Sequence, residues 1–300
     1  MLINIAVASL ILRETTEPVF MKADLHSHSY YSDGKLSPAQ LLHRAEGNHV
    51  THLAITDHDC TMALQELKNA KFELTLINGV EISCDWSGKE IHVVGLNFDL
   101  EDKQLKQLLA TQQAKRKHRV TNIDQRLAEL GHTGLIEYLD TLPCVSYTRS
   151  HVADFLVEKG ICKNRQKAFK NFLSKKGRCY VASDWCSLSE AVTTINTAGG
   201  IAVLAHPGRY PLSKSKLESL VADFADCGGG ALEVIYSNID PHTQKRLIDL
   251  TKSYSLYASL GSDFHDSAAR WMDLGRIASF NPDTQKNAIW LHPRWHSPIS

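Results

Sequence analysis

Short apolar runs alternate with helical patterns along much of this chain. They predict strands over 22–26, 52–57, 75–82, 90–98, 201–205, 231–236 and 256–261, because short apolar runs bounded by turn signals suit buried strands. Helix starts are legible between several of them. Ser37-Pro38 and Asp240-Pro241 each pair an N-cap with proline at the first helical position. Ser187 followed by Glu190 spells a capping box, and Gly199-Gly200 stops that helix. Strands alternating with helices predict an α/β fold built on a parallel sheet or barrel.

The rhythm breaks between 101 and 195. A long helix is predicted over 105–130, ended by Gly131, and two shorter ones over 150–159 and 164–175, each stopped by a glycine. The expected organisation is a barrel carried by 21–100 and 196–289, an all-helical insertion over 101–195, and a tail over 290–300 with no role assigned. Residues 1–20 read as an N-terminal extension ahead of an alternative start at Met21. The apolar stretch within them lacks the preceding basic residues of a secretory signal; a weak signal or membrane-surface segment is the other reading.

Charge sharpens this division. Lys and Arg number 33 and Asp and Glu number 33, yet residues 101–180 hold sixteen basic against eight acidic side chains, a local +8 that leaves −8 for the rest. A basic module on an acidic body suits a polyanion partner and a cation-binding body. The seven cysteines, an odd number without a CxxC pair, read as reduced thiols of a cytoplasmic protein. No apolar run reaches the length of about eighteen residues that a membrane span needs, and no stable protein partner is expected.

Most of the predicted strands end on metal-binding residue types. The first runs into His26-Ser27-His28 and then Asp33-Gly34, and the second ends Thr56-Asp57-His58-Asp59. Gly79-Val80-Glu81, Ile91-His92-Val93, Ala205-His206-Pro207 and Ser262-Asp263-Phe264-His265 follow. In an extended segment residues i and i+2 point to one side, so His26 with His28, and Asp263 with His265, can act as pairs. Barrel enzymes gather catalytic groups at the C-terminal ends of their strands. Six histidines and three acids around one mouth exceed the roughly three protein ligands of a catalytic zinc. They suit two or three ions, and imidazole with carboxylate but no thiolate suits manganese, iron or zinc more than copper. Singly, His92 reads as a core residue and Asp33-Gly34 as a turn; the succession in one chain favours the metal centre.

Together, Asp24-Leu25-His26-Ser27-His28, Ile55-Thr56-Asp57-His58-Asp59, Gly79-Val80-Glu81-Ile82-Ser83, Ala205-His206-Pro207 and Gly261-Ser262-Asp263-Phe264-His265 resemble the motifs of the polymerase and histidinol phosphatase (PHP) superfamily of metal-dependent phosphoesterases. The resemblance implies a distorted (β/α)7 barrel and a trinuclear site. Its ligands would be His26, His28, Asp33, His58, Glu81, His92, His206, Asp263 and His265, holding two or three divalent ions, manganese foremost. Within the helical segment, Ser146-Tyr147-Thr148-Arg149-Ser150-His151 and Gly177-Arg178-Cys179-Tyr180-Val181 resemble one bacterial branch, nucleoside 3′,5′-bisphosphate phosphatases that also act as 5′→3′ exoribonucleases of the RNase AM type.

The expected chemistry is hydrolysis of a phosphate ester by metal-activated hydroxide, in line and without a covalent enzyme intermediate. Asp57 is the candidate for orienting a ligand or moving a proton, or else a carboxylate that caps its loop. Arg149, His151 and Arg209 are candidates for gripping a substrate phosphate. The basic helical segment would hold the rest of a short RNA through its phosphates. The competing readings are a small-molecule phosphatase of the histidinol phosphatase kind and a noncatalytic PHP accessory module.

Overall fold

The computed structural model describes residues 21–269 and 272–296, so the extension 1–20 and the last four residues of the tail lie outside the described residues. Its centre is an eight-stranded mixed sheet. The strands are β1 (Ala23–Asp24), β2 (His52–Ile55), β3 (Thr75–Trp86), β4 (Lys89–Leu96), β5 (Cys186–Ser187), β6 (Ile201–Leu204), β7 (Ala231–Ile235) and β8 (Tyr257–Leu260). They run in the order β1-β2-β3-β4-β6-β7-β8, with β5 beside β3. The two edges meet. Leu25 N donates to Leu260 O (3.1 Å), Asp263 N to His26 O (2.8 Å) and His28 N to Phe264 O (2.8 Å), so the sheet nearly closes into a barrel.

A wholly parallel sheet is corrected at β4, which runs antiparallel to both β3 and β6. β3 continues past residue 82 to Trp86 and turns through Ser87 and Gly88, with φ of 51° and 71°. Positive φ at both central residues is the geometry of a two-residue hairpin turn, and Ser-Gly between apolar runs is its sequence signal. This reversal delivers the chain to the floor of the barrel, opposite the C-terminal ends of the parallel strands.

Helices cover the sheet by burying one face each. α1 (Pro38–Gly47) and α2 (Met62–Leu67) pack Leu41, Ala45, Ala63 and Leu67 with Leu53 and Ile55 of β2. Ser37 caps α1 through the Gln40 amide, and Pro38 sits at its first turn, as the sequence predicts. α3 (Lys103–Glu129) has 27 residues, a rise of about 40 Å. That length carries the chain from the floor back to the mouth. Its Leu105, Leu108 and Leu109 join the sheet's core, whereas Val120, Ile123 and Leu127 join a second core with α4 (Leu135–Asp140), α5 (Arg149–Glu158) and α6 (Arg165–Ala168). α6 runs directly into a π-helical turn over Phe169–Leu173.

The segment 101–195 is not wholly helical. Cys186–Ser187 pairs with Cys84 and Asp85 of β3, because Ser187 is extended where it caps α7 (Leu188–Thr197) and so lies along the strand. α4 is absent from the sequence expectation because its N-cap, Gly134 (φ 95°), offers no side-chain cap. α8 (Lys214–Asp226) and α9 (Pro241–Ser253) complete the cover, α8 burying Leu217, Leu220, Val221 and Phe224. The tail gains a structural place at the floor. Asn97 Nδ2 donates to Arg294 O (2.6 Å), Arg294 Nη1 donates to Gly200 O (2.8 Å), and Trp295 is buried.

Candidate metal centre

All nine predicted side chains converge at the mouth. They form four overlapping groups, each with its candidate ligand atoms within 4.8 Å of one another: His28/Asp33/His58/His265, His26/Glu81/His206, His26/His28/Asp263 and His58/Glu81/His92. Glu81 is the hub. Its Oε1 faces His26 Nε2 (3.4 Å), His92 Nδ1 (2.9 Å) and His206 Nε2 (3.0 Å). Its Oε2 faces His28 Nε2 (3.3 Å) and His58 Nδ1 (2.9 Å). Asp33 Oδ1 lies 3.3 Å from His265 Nε2, and Asp263 Oδ1 lies 3.2 Å from His28 Nε2.

The local backbone explains how each arrives. His26 and His28 flank Ser27, which bridges to Phe264, so this pair does extend from one strand. The same argument fails for Asp263 and His265. Asp263 has φ 54° and His206 φ 31°, both left-handed conformations that are sparse outside glycine. A kink, rather than an extended strand, aims this pair inward. His92 is also not at a strand end. It stands mid-strand on antiparallel β4, opposite Ser83, and reaches Glu81 diagonally across the hairpin. Gly261 admits the close approach of β8 to the first strand: a Cβ there would stand 2.3 Å from that of His26.

Burial and charge are tightly opposed here. Burial works against a charge on His92 and His265, but the adjoining carboxylates, Glu81 and Asp33 foremost, outweigh it and raise them to about 10 and about 9. Burial, aided by His265, presses His28 down to about 3. Glu81, Asp33 and Asp263 resist the upward pull of burial and stay well below the carboxylate range, because imidazoles surround them. His26 Nε2, His28 Nε2, Asp33 Oδ1, His58 Nδ1 and Glu81 Oε2 are buried without a hydrogen-bond partner. Orphaned polar atoms of this kind cost roughly 1–3 kcal/mol each. A shared set of imidazole and carboxylate donors pointing at one another is what divalent cations would satisfy.

The sequence reading misses Glu233, although a lone acid in the apolar run Leu232-Glu233-Val234 was an available signal. It is 3% exposed, takes His26 Nδ1 at 3.1 Å and accepts the His206 amide at 2.5 Å. A carboxylate on Nδ1 fixes the tautomer that presents Nε2 inward. Asp57 is placed comparably, one step removed. Its oxygens accept from Ser29 N (2.7 Å), Ser29 Oγ (2.5 Å) and Ser32 Oγ (2.6 Å). With that hydroxyl donating to Asp57, His28 Nδ1–H donates to Ser32 Oγ at 3.3 Å.

Above the nine lies a cavity of about 560 Å³, whose walls include Arg116, Arg119, Arg149 and Arg209. Arg149 Nη2 and Arg119 Nη1 approach Glu90 Oε2 at 3.2 and 3.5 Å, while Arg209 pairs with Asp263. Arg116 is buried on Asp59 (Nε to Oδ2, 2.8 Å) with its guanidinium 4.9 Å from the Trp185 ring centre. Arg116 and Arg119 escape a sequence reading because Lys115-Arg116-Lys117-His118-Arg119 looks like a solvated helix face. His151 is not among the residues lining the cavity. It is buried, and its Nδ1 accepts the Thr148 amide (3.1 Å) in the capping box of α5. Thr148 Oγ1 in turn donates to Asp33 (3.1 Å), tying the helical segment to the cluster.

Fold and site together define the class: the chain belongs to the PHP family, whose domain model matches residues 24–178. Two relatives narrow the field. The chain is 43% identical over 258 residues to the 5′-3′ exoribonuclease Rnm of Salmonella typhimurium, covering 84% of this chain and 88% of that one. It is 34% identical over 265 residues to the 3′,5′-nucleoside bisphosphate phosphatase of Chromobacterium violaceum, covering 86% and 92%. Among solved structures, an amidohydrolase from Chromobacterium violaceum with bound sulfate and no metal matches with a TM-score of 0.82 and 33% identity, over 90% of this chain and 95% of that one.

Proposed function

We propose that this chain is a metal-dependent phosphoesterase that hydrolyses nucleoside 3′,5′-bisphosphates and removes nucleotides from the 5′ end of short RNA. One observation carries the reading: a single cavity has seven of the nine imidazole and carboxylate groups on its floor, with His26 and His28 beside them in the same cluster, and four arginines on its walls. Such a cavity suits a substrate with more than one phosphate, one at the floor and another on the guanidinium side. The names of the two relatives point to the same substrates.

His26, His28, Asp33, His58, Glu81, His92, His206, Asp263 and His265 would hold two or three divalent cations, manganese first, and Glu81 belongs to two of the four candidate groups. Bound there, such ions act as Lewis acids on phosphoryl oxygens and make water a nucleophile near neutral pH. The rest falls to the protein. Glu233 and the Ser32–Asp57 relay fix the rings of His26 and His28, so Asp57 serves as a positioning residue. Arg209 sits against Asp263, close enough to neutralise charge beside the floor. Glu90 holds Arg149 and Arg119 toward the cavity, where Arg149 offers a bidentate fork to the second phosphate. His151 supports that arrangement through the start of α5. Seven free cysteines suit a cytoplasmic setting, and among the described residues no helix is long and apolar enough to cross a membrane.

The test is a His26→Ala/His28→Ala double variant purified with Mn²⁺ and assayed on adenosine 3′,5′-bisphosphate and on a 5′-phosphorylated short RNA. Both activities should disappear along with bound metal. Undiminished turnover of either substrate would overturn the mechanism for that substrate.

A further inference from the structure

The cavity over the cluster does not end at its arginines. Arg119 and Trp185 also wall a second cavity of about 400 Å³ on the outer side of α3. Asn122 and Val181 belong both to that second cavity and to a third of about 480 Å³. The three follow one face of α3, on which Lys115, Arg119, Asn122 and Arg126 recur at the three- and four-residue spacing of helix neighbours. The segment 181–185 forms the opposite wall.

The charges along this path differ from those in the cavity over the cluster. Arg116, Arg119, Arg149 and Arg209 each face a carboxylate. Lys115, Arg126 and Arg178 line the outer two cavities and have no ion pair among the described residues. Arg126 and Arg178 are exposed. Arg126 rests on the Tyr180 carbonyl, and Arg178 lies 4.4 Å from the Phe172 ring centre, so both heads are held at the groove. Asp184 and Glu129 also border the path, but neither pairs with these cations. An exposed imidazole, His118, stands between the two ends of the row.

We propose that this groove is the track along which the remainder of an RNA strand leaves the metal centre, its phosphates lying on Lys115, Arg126 and Arg178. The inference rests on the RNA part of the proposed function and adds the strand's path to it. Unpaired cations at regular spacing suit a repeating anion, and an exposed ring suits stacking of an unpaired base without sequence preference. The track has a length. Lys115 to Arg126 spans about 16 Å of helix, room for only a few nucleotides of an extended strand. Affinity should therefore grow with chain length and level off a few nucleotides beyond the one being cleaved.

The experiment compares the full-length metal-loaded protein with a Lys115→Gln/Arg126→Gln/Arg178→Gln variant. The substrates are adenosine 3′,5′-bisphosphate and 5′-phosphorylated RNAs of two to eight nucleotides. The variant should turn over the bisphosphate normally, which also reports its folding, while KM for a hexanucleotide rises at least about tenfold. On the hexanucleotide, the log–log dependence of kcat/KM on salt should flatten by about 2, at roughly 0.7 per single-strand phosphate contact. Unchanged kinetics on both substrates would overturn the track and leave the RNA reading standing. Equal losses on both would overturn it too, since the three residues would then serve the cavity. If the unaltered enzyme cleaves the bisphosphate but no RNA, the RNA reading itself falls, and the track with it.

Discussion

Glu233 offers the most discriminating test of how the metal centre is built. It does not line the cavity; it acts through His26, whose Nδ1 lies 3.1 Å from Oε1, and through the His206 amide, 2.5 Å from Oε2. In Glu233→Gln the side chain keeps its shape but has one carbonyl oxygen for two donors. Either His26 or the His206 amide then loses a buried, charge-assisted bond, worth about 1.5–3 kcal/mol. Loss of such an outer partner typically lowers metal affinity about 10–100-fold. The assay is a Mn²⁺ titration of metal-stripped protein, followed by bound metal and by hydrolysis of adenosine 3′,5′-bisphosphate. The variant's activation curve should shift to higher Mn²⁺ by that factor, with much of the maximal rate recovered at saturation. A curve that overlays the unaltered protein would refute the claim that Glu233 orients His26. A rate lost even at saturating Mn²⁺ would refute the claim that it acts only through metal affinity.

Three further outcomes follow from the same geometry. Arg149→Ala should raise KM for the bisphosphate about 10–100-fold, the worth of a charge-assisted phosphate contact of roughly 1.5–3 kcal/mol; equal effects on a simple aryl phosphate, measured in parallel, would remove Arg149 from recognition. Metal uptake should be proton-coupled. Without ions His92 and His265 titrate near 10 and 9 against an unfolded value of 6.5, so both are charged at pH 7, and binding needs them neutral. Calorimetry in buffers of different ionisation enthalpy should show protons released at pH 7 and fewer released near pH 10. The same shifts fix a stability window. A histidine raised on folding stabilises fully below 6.5 and loses that contribution as pH rises through its folded value, so these two groups should lower the Tm of the metal-stripped protein between about pH 7 and pH 10.

The nine cluster residues were legible because a near-closed sheet sends its strand ends to one mouth, and motifs such as His26-Ser27-His28 announce themselves in a linear pattern. The reasons attached to them were less secure. Asp263 reaches the cluster through a left-handed kink, which no periodicity encodes, and His92 does so from an antiparallel strand whose reversal was written only in Ser87-Gly88. The supporting groups were harder still. Glu233 works by facing His26 across 207 positions of sequence, and Arg116 by lying buried on Asp59, relations that exist only once the barrel and α3 have closed on each other. His151 shows the converse. The sequence reads it as a candidate phosphate contact, whereas the start of α5 uses its ring in a capping box with Thr148. The length of α3 joins these observations. Because β4 leaves the chain at the floor, the helix must climb the barrel's full height to return. In doing so it sets Arg116 and Arg119 beside the histidine and carboxylate cluster and carries Lys115 and Arg126 along the groove outside it. A topological consequence of one reversed strand thus places the basic segment at the rim of the cavity over the cluster.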